Sequence, residues 1–280
     1  MSLYSKVSAL FRNLGALTLL ILALPINVIV VGIAWLYGSI RTLTQSPQRL
    51  PDSRQTVLIT GGKMTKALQL ARSFAEAGHR VILVETHKYW LSGHRFSKAV
   101  DRFCTVPDPA KQPEAYTQAL QNIVETEKVD TFIPVSSPVA SYYDAIAGQK
   151  LPNHCQVLHF TPDVTQTLDN KYTLCEQART LGLSAPKAYL MTDPQQLLTF
   201  DFEADGSQYI IKSIRYDSVS RLDMTKLPCP NLKTYVQALP ISKDNPWIMQ
   251  EFIRGQEYCT HSTVRDGQIR MHCCAESSPF

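Results

Sequence analysis

Two lysines occupy positions where a lysine is locally unfavourable. Lys171 opens the predicted helix of "DNKYTLCEQARTLG", and the N-terminus of a helix carries a partial positive charge that disfavours a cation. Lys212 ends the apolar strand of "QYIIK", where a lysine without a partner is rare. An outward-facing side chain would explain Lys212 alone, whereas one anionic ligand between the two lysines would stabilise both.

The elements preceding these lysines follow a strand–helix–strand pattern. "TVLITGGKMTKALQLARSFAEAGHRVILVE" contains an apolar run at Val57–Ile59, which is typical of a strand buried on both faces. Further strands are predicted at 130–135 and 155–160, with a helix at 116–127 between the second and third strands. The pattern predicts a doubly wound, Rossmann-like parallel α/β domain.

The turn after the first strand allows more than one interpretation. "GGKMTKA" lacks the G-x-G-x-x-G pattern and has Lys63 and Met64 where small residues should admit a pyrophosphate. Glu85 ends the second strand, where a ribose-binding acid would stand. This segment could therefore be a plain tight turn, a loop that contacts the substrate, or part of the dinucleotide site of an NAD-dependent oxidoreductase.

Loops at the carboxyl ends of parallel strands are the natural place for a small-molecule substrate. In "HKYWLSGHRFSK", His94 and Arg95 are candidate substrate contacts or members of a solvated turn. In "VSSPVASYYD", Ser137 precedes Pro138 as a predicted helix cap, and the free amides there could hold an anion. A plain cap is the alternative for Ser137.

A hairpin is predicted around Asp266-Gly267, a strong two-residue turn signal. Simple pairing across this turn would place His261 opposite His272 and Cys259 opposite Cys274, on one face. His261 is then a candidate substrate residue in a cavity wall, and ordinary packing is the alternative. A zinc site is a third reading, although opposed pairs on a flat sheet make a row rather than a tetrahedron.

The N-terminal region is strongly apolar. Residues 14–37 carry no charge and would make a helix of roughly 36 Å, against a hydrocarbon core of about 30 Å. Trp35 and Tyr37 stand at its end, as interfacial residues do. A single membrane-spanning helix is predicted, and an interfacial hairpin or a signal peptide are the alternatives. The slight excess of arginine after the segment favours a cytoplasmic globular part.

Composition narrows the function classes. The chain has 280 residues and a net charge of +4, with the basic residues scattered. This argues against nucleic-acid binding, which normally shows a clustered basic patch. The seven cysteines include no C-x-x-C pair, so a reducing compartment is predicted rather than a disulfide framework.

The order of motifs after residue 160 resembles the ATP-grasp ligases. These motifs are the helix-opening lysine, "LGLSAPK", "IIKS", "IMQEFIRGQEY" and a hairpin. The resemblance implies that Lys171 and Lys212 bind ATP phosphates and act in catalysis, and that Glu257 holds the ribose. It further implies that adenine is bound by a linker that consists of Gln250, Glu251, Phe252 and Ile253.

The resemblance also implies a domain organisation. Residues 1–54 would be the membrane segment and linker, 55–160 the substrate domain, and 161–280 an α+β ATP-grasp domain. The family's Mg²⁺ ligands lie beyond the hairpin, so the resemblance predicts an incomplete domain that would not catalyse by itself. Where the family has a glycine-rich flap this chain has "SIRYDSVSR", so side chains of Arg215, Ser218, Ser220 or Arg221 are expected over the phosphates.

Within the family, several segments are similar to ligases that join an amino acid to a cyclohexenone. These segments are "GGKMTKALQLARSF", "THKYWLSGHRFS", "SPVASYYD", "KLPC" and "CTHSTVRDG". Other carboxylate–amine ligases of the family, and a membrane-anchored ATP-binding module without catalysis, are the alternatives.

Overall fold

A computed structural model describes residues 3–44, 53–204, 206–217 and 220–277. The chain divides into two compact units, Met1–Arg54 and Gln55–Phe280.

The first unit contains one long helix, α1 (Leu3–Thr44). Its segment Phe11–Ile40 has 30 residues with a mean hydropathy of 2.6, and its side chains are not buried. By length and composition this segment could cross a membrane, a test that a signal sequence near the N-terminus also passes. The predicted span 14–37 lies inside it, and the helix continues through Pro25, so the described backbone is not a hairpin.

The second unit begins with a five-stranded parallel sheet in the order β3-β2-β1-β4-β5. Its strands are β1 (Thr56–Ile59), β2 (Arg80–Thr86), β3 (Arg102–Val106), β4 (Thr131–Ile133) and β5 (Gln156–Val157). The helices between them are α2 (Thr65–Glu76), α3 (Pro113–Glu127) and α4 (Pro138–Gly148). This arrangement confirms the predicted doubly wound domain and adds the strand β3, which the sequence pattern did not indicate.

Both faces of this sheet are covered, which explains the continuous apolar run in β1. Leu58 packs into a cluster with Tyr116 and Leu120 of α3. Val57 and Ile59 point to the other face and pack with Ala67 and Ala71 of α2. Because alternate residues of β1 serve opposite clusters, every position of the strand must be apolar.

A second, four-stranded antiparallel sheet follows in the order β6-β9-β7-β8. Its strands are β6 (Ala188–Met191), β7 (Tyr209–Ser213), β8 (Lys226–Leu227) and β9 (Trp247–Glu251). The accompanying helices are α5 (Pro162–Asp169), α6 (Lys171–Thr180), α7 (Pro194–Leu198) and α8 (Leu232–Ala238). Fully buried Tyr209, Leu227 and Trp247 form the centre of its core.

The last element is an exposed hairpin of β10 (Tyr258–Arg265) and β11 (Gln268–Glu276). Asp266 and Gly267 have φ of 52° and 72°, which agrees with the predicted tight turn. The predicted pairing is wrong beyond a bulge at Thr263/Val264, where β11 contains one extra residue.

The bulge changes which side chains share a face of the hairpin. His261 pairs with Cys273, and His272 pairs with Ser262 instead of His261. A shift of one residue turns each side chain to the other face, so Cys274 no longer opposes Cys259.

Candidate functional site

Lys212 lies near the end of β7 and lines a cleft of about 810 Å³. Its side chain is half-buried, and β9 lies beside it with Ile248 as the paired residue. Burial lowers the pKa of the Lys212 ammonium, and the positive charge of Lys171 lowers it further. Glu257 acts in the opposite direction. A bound anion would offset both effects and raise the pKa of Lys212 again.

Lys171 is the first residue of α6, and its ammonium contacts the end of β7. Its Nζ donates to the main-chain oxygen of Ser213 at 3.1 Å and to that of Ile214 at 3.4 Å. Asn170 caps the helix, because its Oδ1 accepts from the amide nitrogens of Tyr172 and Thr173. The neighbouring Asp169 ends α5 and does not cap α6.

The predicted adenine linker continues from β9 along the same cleft. Lys187 N donates to Glu251 Oε2 at 3.1 Å, and Phe252 N donates to Gln208 O at 2.7 Å. These bonds hold the linker at the end of β9, an inner strand of the four-stranded sheet. All four linker residues line the cleft: Gln250, Glu251, Phe252 and Ile253.

Glu257 lines the cleft where the linker enters the hairpin. Its carboxylate accepts from Ser277 Oγ at 3.2 Å and is otherwise exposed. Lys212, the linker and Glu257 thus surround one space. Lys171 does not line this space, but it lies against the backbone immediately after Lys212.

The other candidate substrate residues lie elsewhere. Ser137 lines a second cavity, of about 210 Å³, at the carboxyl ends of the parallel strands. His94 Nδ1 is 2.8 Å from Gly62 O, and Arg95 donates to Trp90 O at 2.7 Å. Neither residue lines either cavity. His261 is exposed on the hairpin and contacts Cys259 Sγ at 3.3 Å.

Sequence reasoning did not single out a buried acid beneath the second cavity. Asp144 of α4 is fully buried and accepts hydrogen bonds from Tyr116 Oη and, at 3.1 Å, from Thr60 Oγ1. Burial raises the pKa of the Asp144 carboxyl to about 6, although these hydroxyl donors oppose the rise. The only sequence signal was an acid among the apolar residues of "SYYDAIAG".

Metal ligands do not gather in the described part of the chain. Across residues 3–44, 53–204, 206–217 and 220–277, no group of three His, Cys, Asp or Glu side chains is arranged to hold a metal. The described residues of the cleft therefore offer no preformed cluster of metal ligands. The zinc alternative for the hairpin also loses its basis, because the bulge divides the two histidines between opposite faces.

Solved structures with a similar fold identify the architecture. One is an L-amino acid ligase from Bacillus licheniformis, with a TM-score of 0.55 and 15% sequence identity. The match covers 80% of this chain and 51% of the ligase chain. Another is a biotin carboxylase from Campylobacter jejuni, solved as a β,γ-ATP complex, with a TM-score of 0.51 and 13% sequence identity. This match covers 74% of this chain and 47% of the carboxylase chain. The fold is that of the ATP-grasp enzymes.

The ATP-grasp likeness has a defined extent. The chain spans about half the length of these enzymes. A 2-oxoglutarate carboxylase domain from Hydrogenobacter thermophilus, crystallised with MgADP and bicarbonate, matches at a TM-score of 0.50, with 12% identity over 74% of this chain and 46% of its own. No protein-family model matches the sequence, and no curated protein is significantly similar to it.

Proposed function

We propose that this chain is the nucleotide-binding part of an ATP-dependent ligase. The observation that carries the proposal is the half-buried Lys212, which lines a cleft of about 810 Å³. Burial lowers the pKa of Lys212, and the positive charge of Lys171 lowers it further. A polyphosphate would relieve the repulsion between the two ammonium groups. The volume lies within the ~300–1,000 Å³ that is usual for small-molecule sites.

Each part of ATP has a proposed partner. Main-chain groups of the linker 250–253 would bind adenine, and the Glu257 carboxylate would accept from the ribose hydroxyls. Lys212 and Lys171 would contact the phosphates and neutralise the charge that grows during phosphoryl transfer. Arg215 and Ser220, which follow β7 in the described chain, are proposed to lie over the phosphates in place of a glycine-rich flap.

The proposed reaction has two steps. An acyl or enolic oxygen of the first substrate attacks the γ-phosphorus, the bond from γ-phosphorus to the β-phosphate oxygen breaks, and ADP leaves. The amine nitrogen of the second substrate then attacks the activated carbon, loses a proton and expels phosphate. The lysines act in the first step, because only there does charge move between the phosphates.

The finer proposal rests on the sequence segments similar to mycosporine-glycine synthase. It makes the first substrate a cyclohexenone such as 4-deoxygadusol and the amine glycine, in mycosporine biosynthesis. Another carboxylate–amine ligase reaction is the alternative. We also propose a single-pass membrane anchor in α1 with the second unit in the cytoplasm.

The resemblance to the ATP-grasp ligases also implies that Mg²⁺ binds together with ATP. A bound Mg²⁺ would neutralise charge on the β- and γ-phosphates. The described residues include no group of three metal-ligating side chains, so we propose that its protein ligands lie outside the described cleft residues.

Nucleotide binding tests the proposal directly. The full chain in detergent should bind ATP by isothermal titration calorimetry and should not bind NAD. Binding of NAD without ATP would overturn the ligase proposal in favour of an oxidoreductase. ADP release should require both 4-deoxygadusol and glycine. ATP binding without turnover on any amine would favour the non-catalytic module.

A further inference from the structure

A second cavity opens at the carboxyl edge of the five-stranded parallel sheet. It has a volume of about 210 Å³ and is lined by ends of β1, β2 and β4 and by the starts of α2 and α4. This volume is below the ~300–1,000 Å³ that is usual for drug-sized ligands, so it suits a small compound and not a dinucleotide. None of its residues lines the nucleotide cleft.

The cavity floor consists of hydroxyl groups that point their hydrogens away from the cavity. Thr60, Tyr116 and Ser136 line the cavity, and the hydroxyls of Thr60 and Tyr116 donate to the buried carboxylate of Asp144. An ionised carboxylate can only accept hydrogen bonds, so each hydroxyl that bonds to it must be the donor. The lone pairs of these hydroxyl oxygens are therefore what remains for a ligand.

A second buried carboxylate lines the same floor. Glu85 at the end of β2 is 6% exposed, and it accepts from Lys63 N at 3.0 Å, from Thr86 N at 2.8 Å and from Thr86 Oγ1 at 3.1 Å. All three of these donors are neutral. A carboxylate has about four acceptor sites, so Glu85 keeps capacity for a ligand.

Neither carboxylate has a cationic side chain as an ion-pair partner within the described residues. The ion pairs there join Arg80 and Arg102 to Glu127, and Arg179 to Glu176. His159 is the one positive influence on Asp144, and its ring nitrogen is bonded to Ser141. Buried carboxylates are normally paired with a cation, because desolvation of an isolated charge is costly.

The rim of the cavity has the opposite charge. Lys63 and Lys88 are exposed, line the cavity, and lie over the ring of Tyr89 at 3.4 Å and 5.3 Å from its centroid. Asp108 also lies at the rim, and its Oδ1 accepts a hydrogen bond from Ala110 N at 3.0 Å. The cavity thus has acceptors and buried acids at its floor and two ammonium groups at its mouth.

We propose that this cavity binds a small zwitterion, with its ammonium on the floor at Glu85 and the hydroxyl oxygens, and its carboxylate at Lys63 and Lys88. An ammonium supplies three donors and the missing positive charge, whereas a carboxylate suits the lysines at the mouth. The site stands whether or not the chain uses ATP, because it shares no residue with the nucleotide cleft.

The test uses the full chain in detergent without nucleotide. Calorimetric titrations with glycine, methylamine and acetate separate the two ends of the ligand. Glycine should bind in the millimolar range, methylamine about tenfold more weakly, and acetate more weakly still. Acetate binding equal to that of glycine, or no binding of glycine, would overturn the proposal, as would a site that takes only Na⁺ or K⁺.

Two variants locate the binding. Glu85→Gln should weaken both glycine and methylamine by about tenfold, whereas the matched exposed change Glu125→Gln should leave both unchanged. Lys88→Gln alters an exposed side chain and cannot disturb the core; it should weaken glycine several-fold but not methylamine. Equal effects of Lys88→Gln on the two probes would contradict the proposed orientation, even if Glu85→Gln fails to fold.

Failure of this proposal is distinguishable from failure of the proposed ligase. A chain that binds ATP but not glycine loses only the zwitterion site. A chain that binds glycine but not ATP, with glycine binding sensitive to Glu85→Gln, keeps the zwitterion site and loses the nucleotide proposal.

Discussion

The ammonium of Lys171 donates to the main-chain oxygen of Ser213, the residue directly after Lys212, at 3.1 Å. This bond joins the start of α6 to the end of β7 and keeps the two lysines near each other without any ligand. Burial lowers the pKa of Lys212, and the positive charge of Lys171 lowers it further. A pair of cations held together by the fold is a preorganised site for an anion.

Removal of the Lys212 charge should weaken ATP binding. We expect Lys212→Met to raise the Kd for ATP by about 10- to 100-fold, because hydrogen bonds to charged groups contribute about 1.5–3 kcal/mol. Calorimetry on the full chain measures the change. Lys243→Met, at an exposed lysine far along the chain, is the control and should leave the Kd unaltered. Equal affinities of the wild type and Lys212→Met would refute the phosphate assignment.

Nucleotide binding should also be accompanied by proton uptake at alkaline pH. The pKa of Lys212 is lowered in the free chain, and a bound polyphosphate should raise it again, so a proton is taken up on binding. The observed binding enthalpy should then depend on the ionisation enthalpy of the buffer. Lys212→Met should remove most of that dependence; a dependence of the same size in the variant would assign the proton to another group.

The fold could be predicted further than the site. The apolar run Val57–Ile59 correctly predicted β1, because both faces of the sheet are covered and every position of the strand is therefore apolar. The strand β3 was missed because it begins with exposed Arg102 and only its last residue is fully buried, which gives little apolar signal. The predicted pairing of the hairpin was wrong because one extra residue in β11 shifts the register. The alternation of apolar and polar residues in the sequence does not reveal such a bulge.

The buried acid shows a different limit. Asp144 is a polar residue in an amphipathic helix, and such a residue is normally assigned to the solvent face. Its burial depends on hydroxyl donors from β1 and α3, which are distant in the sequence. Only the packed structure brings these partners together.

Asp144 makes the stability of the second unit depend on pH. Its folded pKa of about 6 lies above the usual 3.8, so between these values the folded chain binds more protons than the unfolded chain. Stability therefore falls as pH rises through this window, by about 3 kcal/mol for a shift of about two units at 1.36 kcal/mol per unit.

Substitution isolates this effect. Asp144→Asn cannot ionise, so its free energy of unfolding should change much less between pH 4 and pH 6. Urea denaturation followed by circular dichroism measures the slope. Asp163→Asn, at an exposed acid of α5, should keep the wild-type slope. If wild type and Asp144→Asn had the same slope, another group would be responsible.

Two glycines with the same left-handed backbone should respond differently to alanine. Gly61 (φ 70°) and Gly182 (φ 72°) both favour glycine, so alanine costs about 1–2 kcal/mol at either position. A Cβ at Gly61 would also lie 2.8 Å from Val135 O, whereas nothing lies within 4 Å at Gly182. Gly61→Ala should therefore reduce the free energy of unfolding by at least about 2 kcal/mol more than Gly182→Ala. Equal losses in urea denaturation would mean that the loop after β4 moves aside without cost.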